Sequence, residues 1–231
     1  MRTAAILPVK RFDRAKSRLG ASVAETLRDR LARAMVADVL EALARTAAIE
    51  RTYVVSREPS VAQVAGEHGA LLVADEAEQG QSAAVTLGVR RAQGDGIERV
   101  LCIPGDCPAL DPRELEALLA TAEAEAAGGA QVVIVPDRHG TGTNGLLLCP
   151  PDAIEPSFGP DSCERHSALA IAAGASWRVE RTQSLLLDVD TGADLAALRE
   201  RLDTDGARAT RTREALGRPE PAKVVSALSG N

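Results

Sequence analysis

The sequence predicts an α/β fold of three layers, αβα, built on a mostly parallel mixed sheet. Three observations predict it. Short, wholly apolar runs recur that are too brief for helices and read as strands buried on both faces, with Val100-Leu101-Cys102-Ile103 the clearest. Longer stretches with apolar residues at helical spacing lie between them, so strand and helix alternate from the N-terminus. Carboxylates stand where strands stop: Asp106 after Pro104-Gly105, and Asp188 and Asp190 after Leu185-Leu186-Leu187. In open α/β sheets ligands bind outside the carboxyl ends of the strands, so these acids occupy positions where chemistry is usually placed.

In order, Thr3 to Val9 is a first strand, ended by Pro8 and the basic loop Lys10 to Gly20, which holds five positive charges and one negative. Such a loop after a buried strand suits a polyphosphate. It suits a solvated connector equally, because the glycine pattern of a Walker or Rossmann turn is missing. Ser22 and Glu25 form a capping box that opens a helix to about Ala44, with Leu27, Leu31, Met35, Val39 and Leu43 on its core face. Arg51–Ser56 is a second strand, Ser60–His68 a short helix closed by Gly69, and Ala70–Ala74 a third strand. The polar loop Asp75–Ser82 leads into a helix from Gln81 to Arg91, whose free N-terminal amides at Gly80, Gln81 and Ser82 fit either a nucleobase edge or simple capping.

After the strand at Val100, Asp111-Pro112-Arg113-Glu114 is an N-cap, an N1 proline and an acidic N3, opening a helix to about Ala126 that Gly128-Gly129 closes. Gln131–Val135 is a strand, and Arg138–Gly145 a Gly/Thr-rich loop suited to an anion or to a plain hairpin. Leu146–Leu148 is then a short strand. Ser157–Ser162 precedes a helix from Cys163 to Ala173, a pattern shared by anion sites and ordinary N-caps, and places His166 on either the exposed surface or a substrate contact. Trp177–Arg181 and Ser184–Leu187 read as two more strands, the second ending in Asp188-Val189-Asp190-Thr191. Alternate residues of an extended segment share a face, so the two acids point into one place, where like charges persist best around a cation. Thr191 or Asp190 also serves as N-cap of a helix running to Leu202. This makes one domain over 1–203 and a C-terminal extension over 204–231 whose end reads as disordered.

The 231 residues carry 45% hydrophobic and 26% charged side chains, enough for one core of substantial size. A net charge of −6 argues against binding nucleic acid by bulk charge, and no apolar run is long enough to span a membrane. Met1 leads directly into a strand rather than a signal peptide, and the four cysteines lack Cys-x-x-Cys spacing, so a cytoplasmic chain without a zinc or disulfide framework is expected. Of 27 basic residues only Lys10, Lys16 and Lys223 are lysines, two of them within the first basic loop. A compact ammonium and a guanidinium meet phosphate differently, so the placement is suggestive.

Strand, basic loop and helix, then a strand ending in Gly-Asp and another ending in Asp-x-Asp: this ordering resembles the nucleotide-diphospho-sugar transferase (GT-A-like) fold. Leu7-Pro8-Val9-Lys10 with Ala15-Lys16-Ser17-Arg18-Leu19, Pro104-Gly105-Asp106-Cys107-Pro108 and Leu187-Asp188-Val189-Asp190-Thr191 are similar to the phosphoenolpyruvate / 2-phospho-L-lactate guanylyltransferase family of coenzyme F-420 biosynthesis, over roughly residues 3–202. The resemblance implies an enzyme that joins GMP from GTP to phosphoenolpyruvate or 2-phospho-L-lactate and releases pyrophosphate. It implies Mg2+ on Asp106, Asp188 and Asp190, the acidic substrate on Thr143, Gly159 and Ser162, and GTP on Lys10, Lys16, Arg18, Gly80, Gln81 and Ser82, with Lys16 catalytic alongside the three acids. Partners expected are GTP and the phosphorylated acid, no nucleic acid and no membrane, with a homodimer as the candidate assembly. The alternatives are another nucleotidyltransferase of the same fold, of molybdopterin or sugar-phosphate type, and a non-catalytic nucleotide-binding protein.

Overall fold

The structure, a computed structural model, describes residues 1–12, 25–125, 128–204 and 208–217. Among the described residues seven strands form one sheet, in the order β3-β2-β1-β4-β6-β5-β7. They are β1 (Thr3–Pro8), β2 (Arg51–Ser56), β3 (Leu71–Ala74), β4 (Arg99–Cys102), β5 (Gln131–Pro136), β6 (Thr143–Cys149) and β7 (Ser176–Val179). The described helices are α1 (Glu25–Ala44), α2 (Pro59–Glu67), α3 (Gln81–Gly94), α4 (Pro112–Glu125), α5 (Ser162–Ala172), α6 (Gly192–Thr204) and α7 (Thr210–Gly217). Only β6 runs against its neighbours β4 and β5; every other pairing is parallel.

The period of two along each strand divides the core. Ala5, Leu7, Val54, Leu101, Val133 and Leu147 face α1, α2 and α4. Ala4, Ile6, Tyr53, Val55, Val100, Cys102 and Leu146 face α3 and α5. Apolar side chains on both faces account for uninterrupted strands such as Val132-Val133-Ile134-Val135. The closest approach is at Gly88 of α3, where a Cβ would stand 2.4 Å from Ile6 Cγ2 and 2.9 Å from Val55 Cγ2, so only glycine lets the helix lie this near β1 and β2. A third cluster joins Leu31 and Met35 of α1 to Leu195 and Leu198 of α6 and Ala215 of α7.

The chain leaves β1 through helices on one face to reach β2 and β3, then returns through α3 on the other face to β4. The gap between β1 and β4 is therefore the switch point of the sheet, where a crevice opens at the strand ends.

Several expectations need correcting. Ser184–Leu187 is not a strand: Gln183–Leu185 is a 3-10 turn. The Leu185 N–H closes that turn on Thr182 O at 3.0 Å, and the Ser184 N–H donates to Glu114 Oε2 of α4 at 2.7 Å, leaving no ladder to join. The strand expected at Leu146–Leu148 is seven residues long, because the Gly/Thr loop folds as a hairpin with β5, with a register irregularity at Val135/Pro136. The region from 204 holds α7, whose Arg211 and Thr212 amides are capped by Asp38 of α1 at 3.1 and 2.7 Å. The Ser22 half of the capping box lies outside the described residues. No described helix is long and apolar enough to cross a membrane.

Candidate active site

A cleft of about 670 Å³ opens at the carboxyl ends of β1, β2, β4 and β5, within the usual range for a small-ligand site. Its lining includes Lys10, Gly80, Gln81, Asp106, Thr143, Gly159, Ser162, Asp188 and Asp190, so most of the residues singled out from sequence meet in one place. Lys16 and Arg18 lie outside the described residues. Ser82 does not line the cleft; its Oγ accepts the Phe158 N–H at 2.9 Å and ties the start of α3 to the loop before α5.

The acidic side is assembled from two distant segments. Pro104 and Gly105 end β4 and present Asp106; at Gly105 a Cβ would already meet Val36 Cγ2 at 3.1 Å. The Val189 N–H donates to Asp106 O at 3.1 Å, which sets the Asp188-Val189-Asp190 segment against the Asp106 turn. Val189 is fully buried while both flanking acids are half-buried and face the cleft, the alternation that the sequence implied. Asn144 at the start of β6 donates through Nδ2 to Leu185 O at 2.8 Å and to Asp188 Oδ1 at 3.1 Å. Burial first, then the negative charges of Asp106 and Asp190, raise the Asp188 pKa above the ordinary carboxylate value, against the Asn144 hydrogen bond. Three acids thus share one space at an electrostatic cost. Among the described residues they are not gathered into a cluster of three His, Cys, Asp or Glu groups that would itself hold an ion.

Behind Asp190, Thr191 and Asp194 form the capping box of α6. Asp194 Oδ2 accepts the Asp190 and Thr191 N–H groups at 3.2 and 2.7 Å, and the Asp194 N–H returns to Thr191 Oγ1 at 3.3 Å. Arg138, in the β5–β6 hairpin, pairs with Asp194 Oδ1 at 2.6 Å. Burial pushes the Asp194 pKa up, but the Thr191 hydrogen bonds and the Arg138 charge outweigh it and hold the group below the ordinary value.

Elsewhere in the lining, Thr143 and Ser162 are buried and Gly159 is exposed with φ +119°. Arg165 brackets this loop by donating to Ser157 Oγ, Ser157 O and Pro160 O. Two amides at the start of α5 are already taken, Ser162 N–H by Gly159 O and Cys163 N–H by Thr141 O, which narrows the anion site expected at that helix end. His166 is neither surface nor substrate contact: it is fully buried, edge-on to Phe158 at 5.1 Å, with Nδ1 3.0 Å from Thr143 Oγ1 and Nε2 accepting the Ser157 N–H at 2.9 Å. The start of the basic loop is pinned by Phe12, whose ring lies 4.8 Å beneath the Arg33 guanidinium and whose N–H donates to Glu58 Oε2 at 3.2 Å. Lys10 stays exposed at the rim. Gly80 adopts φ +104° as N-cap of α3, a conformation open to glycine, and brings backbone to the cleft. Sequence reasoning missed Asn144 and left His166 between surface and substrate contact; neither stands out locally, Asn144 lying in the Gly/Thr-rich loop and His166 between Arg165 and Ser167.

A basic rim, Asp106 after β4 and the Asp188–Asp190 segment meet at a crevice at the sheet's switch point, the arrangement of a nucleotidyltransferase of the nucleotide-diphospho-sugar transferase fold. Solved structures share that fold: a Desulfovibrio desulfuricans G20 protein assigned to the nucleotide-diphospho-sugar transferases superposes with TM-score 0.71 at 19% identity, covering 94% of both chains. CMP:2-keto-3-deoxy-manno-octonic acid synthetase complexed with CTP gives 0.60 at 14% identity, over 89% of this chain and 100% of that one. The particular family is given by sequence: residues 3–211 match the family described as "Guanylyl transferase CofC like", and this chain belongs to it. A phosphoenolpyruvate guanylyltransferase of Conexibacter woesei is 50% identical over 216 residues, 94% of this chain and 96% of the relative. Another, of Sphaerobacter thermophilus, is 36% identical over 198 residues, 86% and 93% of the two chains.

Proposed function

We propose that this guanylyltransferase moves GMP from GTP onto the phosphate of phosphoenolpyruvate, giving enolpyruvyl-2-diphospho-5'-guanosine and pyrophosphate, a step of coenzyme F-420 biosynthesis. The observation that carries the reading is the pairing of Asp106 with the Asp188–Asp190 segment through the Val189–Asp106 backbone bond, in the same cleft that Thr143 lines. The names of the relatives favour phosphoenolpyruvate over 2-phospho-L-lactate as acceptor.

The acceptor is a phosphate monoester and already a nucleophile, so the chain has no proton to remove. Its oxygen bonds to the α-phosphorus of GTP while the bond from that phosphorus to the bridging oxygen breaks, and pyrophosphate leaves with the electron pair. Repulsion between the two anions opposes the reaction, and holding them aligned is the main task of the protein. Thr143 and Ser162 hydroxyls with the Gly159 backbone cradle the acid, Gly80 and Gln81 face the base, and Lys10 offsets charge on the triphosphate. Lys16 and Arg18 join Lys10 by resemblance, with Lys16 stabilising the charge that develops on pyrophosphate.

The acidic set fits Mg2+. The two carboxylates crowding a half-buried Asp188 would be relieved by a dication, and Mg2+ takes one or two carboxylates and completes its shell with water and substrate phosphates rather than needing an all-protein cage. Asp106, Asp188 and Asp190 would hold it, and it would supply positive charge to offset that of the reacting phosphates.

The test offers the purified chain Mg2+, each of the four nucleoside triphosphates and a panel of phosphoenolpyruvate, 2-phospho-L-lactate, sugar phosphates and molybdopterin, with pyrophosphate release and product mass recorded. Release with GTP and phosphoenolpyruvate alone is expected. Product from a sugar phosphate or molybdopterin moves the chain to another transferase, and no product from any pair leaves a nucleotide-binding protein.

A further inference from the structure

His166 has both ring nitrogens engaged, and the partners fix which one carries the proton. A backbone N–H can only donate, so the Ser157 amide at 2.9 Å makes Nε2 the bare nitrogen. The ring proton is then on Nδ1, 3.0 Å from Thr143 Oγ1, and the hydroxyl oxygen accepts there. With its oxygen held by the imidazole, Thr143 has its own hydrogen to give, and Thr143 lines the cleft. In the opposite tautomer Thr143 would donate to Nδ1 and present only lone pairs to the cleft, which repel a carboxylate or phosphate. Burial of the ring, the Phe158 edge and the Arg165 brackets on Ser157 keep this chain of bonds in one arrangement.

We propose that His166 is a positioning residue that makes the Thr143 hydroxyl a fixed hydrogen-bond donor to the anionic acceptor substrate, and so sets affinity for that acid rather than for GTP. This rests on the phosphoenolpyruvate reading given above.

Two near-isosteric variants separate the two bonds. In His166→Asn the side-chain amide reaches the Nδ1 position and keeps a donor for Thr143. In His166→Gln it reaches the Nε2 position, keeps an acceptor for the Ser157 amide and loses the donor. Steady-state kinetics on the full chain are expected to give His166→Gln a KM for phosphoenolpyruvate raised about tenfold with the KM for GTP nearly unchanged, the loss expected when a hydrogen bond to a charged group is misdirected. His166→Asn stays near wild type on both, and His166→Gln adds nothing once Thr143 is Val. Independently of turnover, long-range ¹H–¹⁵N spectra of the wild-type ring are expected to show Nδ1 protonated and Nε2 bare. An Nε2–H tautomer, equal KM increases for both substrates, or additive effects with Thr143→Val would overturn the proposal. A wild-type chain that makes no guanosine product sinks the functional reading and the substrate half of this one, while the spectrum still judges the orientation of Thr143.

Discussion

Acidification is expected to destabilise this protein through His166. The ring is fully buried, and burial first, with the Arg165 charge second, takes its pKa from 6.5 down to about 4. In the unfolded chain the same ring titrates near its ordinary ~6.5. Because the folded value is the lower one, the unfolded chain takes up a proton that the folded protein refuses. The effect is absent at about pH 7.5 and above, grows as pH falls through ~6.5, and levels off below about 4. The gap between 6.5 and about 4 amounts to about 3 kcal/mol, of which about 2 kcal/mol has been lost by pH 5. For a chain of this size that is about 4–8 °C in Tm. Thermal unfolding of wild type and His166→Gln at pH 7.5 and pH 5, with urea titrations alongside, isolates the ring, since other titrating groups are common to both proteins. Wild type is expected to lose about 2 kcal/mol more than the variant on acidification. Equal losses would refute the buried, neutral imidazole and with it the account of how Thr143 is held.

Asp188→Asn should lower kcat by about a hundredfold or more, as should Lys16→Ala by the family resemblance, since each removes a preorganised charge at the reacting phosphates. Asp188→Asn should not lower Tm, because burial and its acidic neighbours penalise the charged form; a variant with undiminished turnover removes Asp188 from the mechanism. Gly88→Ala forces a Cβ to 2.4 Å from Ile6 Cγ2 and should destabilise the fold by about 1–3 kcal/mol, read by urea unfolding; an unchanged midpoint contradicts the packing of α3. Asp38→Ala strips the cap from α7 and should cost about 1–2 kcal/mol. Hydrogen exchange over 210–217 should rise ahead of the rest of the chain, and uniform protection would deny the cap its role.

What could be read from the sequence was what local pattern encodes. The run Val100–Ile103, the Asp111-Pro112 helix start and the alternation of Asp188 and Asp190 about Val189 each carry their cause within a few residues, and the structure places them so. Ser184–Leu187 failed because three leucines suit a buried turn as well as a buried strand, and the deciding bond comes from Glu114, 70 residues away. α7 was missed for a like reason: its cap is Asp38, separated from Thr212 by 174 positions. Within the site, the acidic residues stood out because carboxylates are poor core residues, whereas Asn144 and His166 work through partners 44 and 23 residues off. Ser82 fitted a nucleobase edge or simple capping at a helix start, and its hydroxyl oxygen accepts the Phe158 amide 76 residues on.

These distant bonds share a chemical logic. Carboxylates gathered in one cleft cannot hold one another in place, because they repel. The frame is therefore built from groups with no charge to present to the ligand. Asp106 is located through its carbonyl, by the Val189 N–H. Asp190 is located through its amide, by Asp194, whose other oxygen takes Arg138 from the hairpin that also carries Thr143. Asp188 is held by its carboxylate, and the partner there is the neutral Asn144 amide, which orients the group without neutralising it. A lysine or arginine in that place would lower the Asp188 pKa and relieve its repulsion from Asp106, but it would also spend the negative charge the site exists to offer. The strain on Asp188 is thus kept rather than quenched, and on the proposed reading a cation arriving with the substrate phosphates would gain what the fold has left unrelieved.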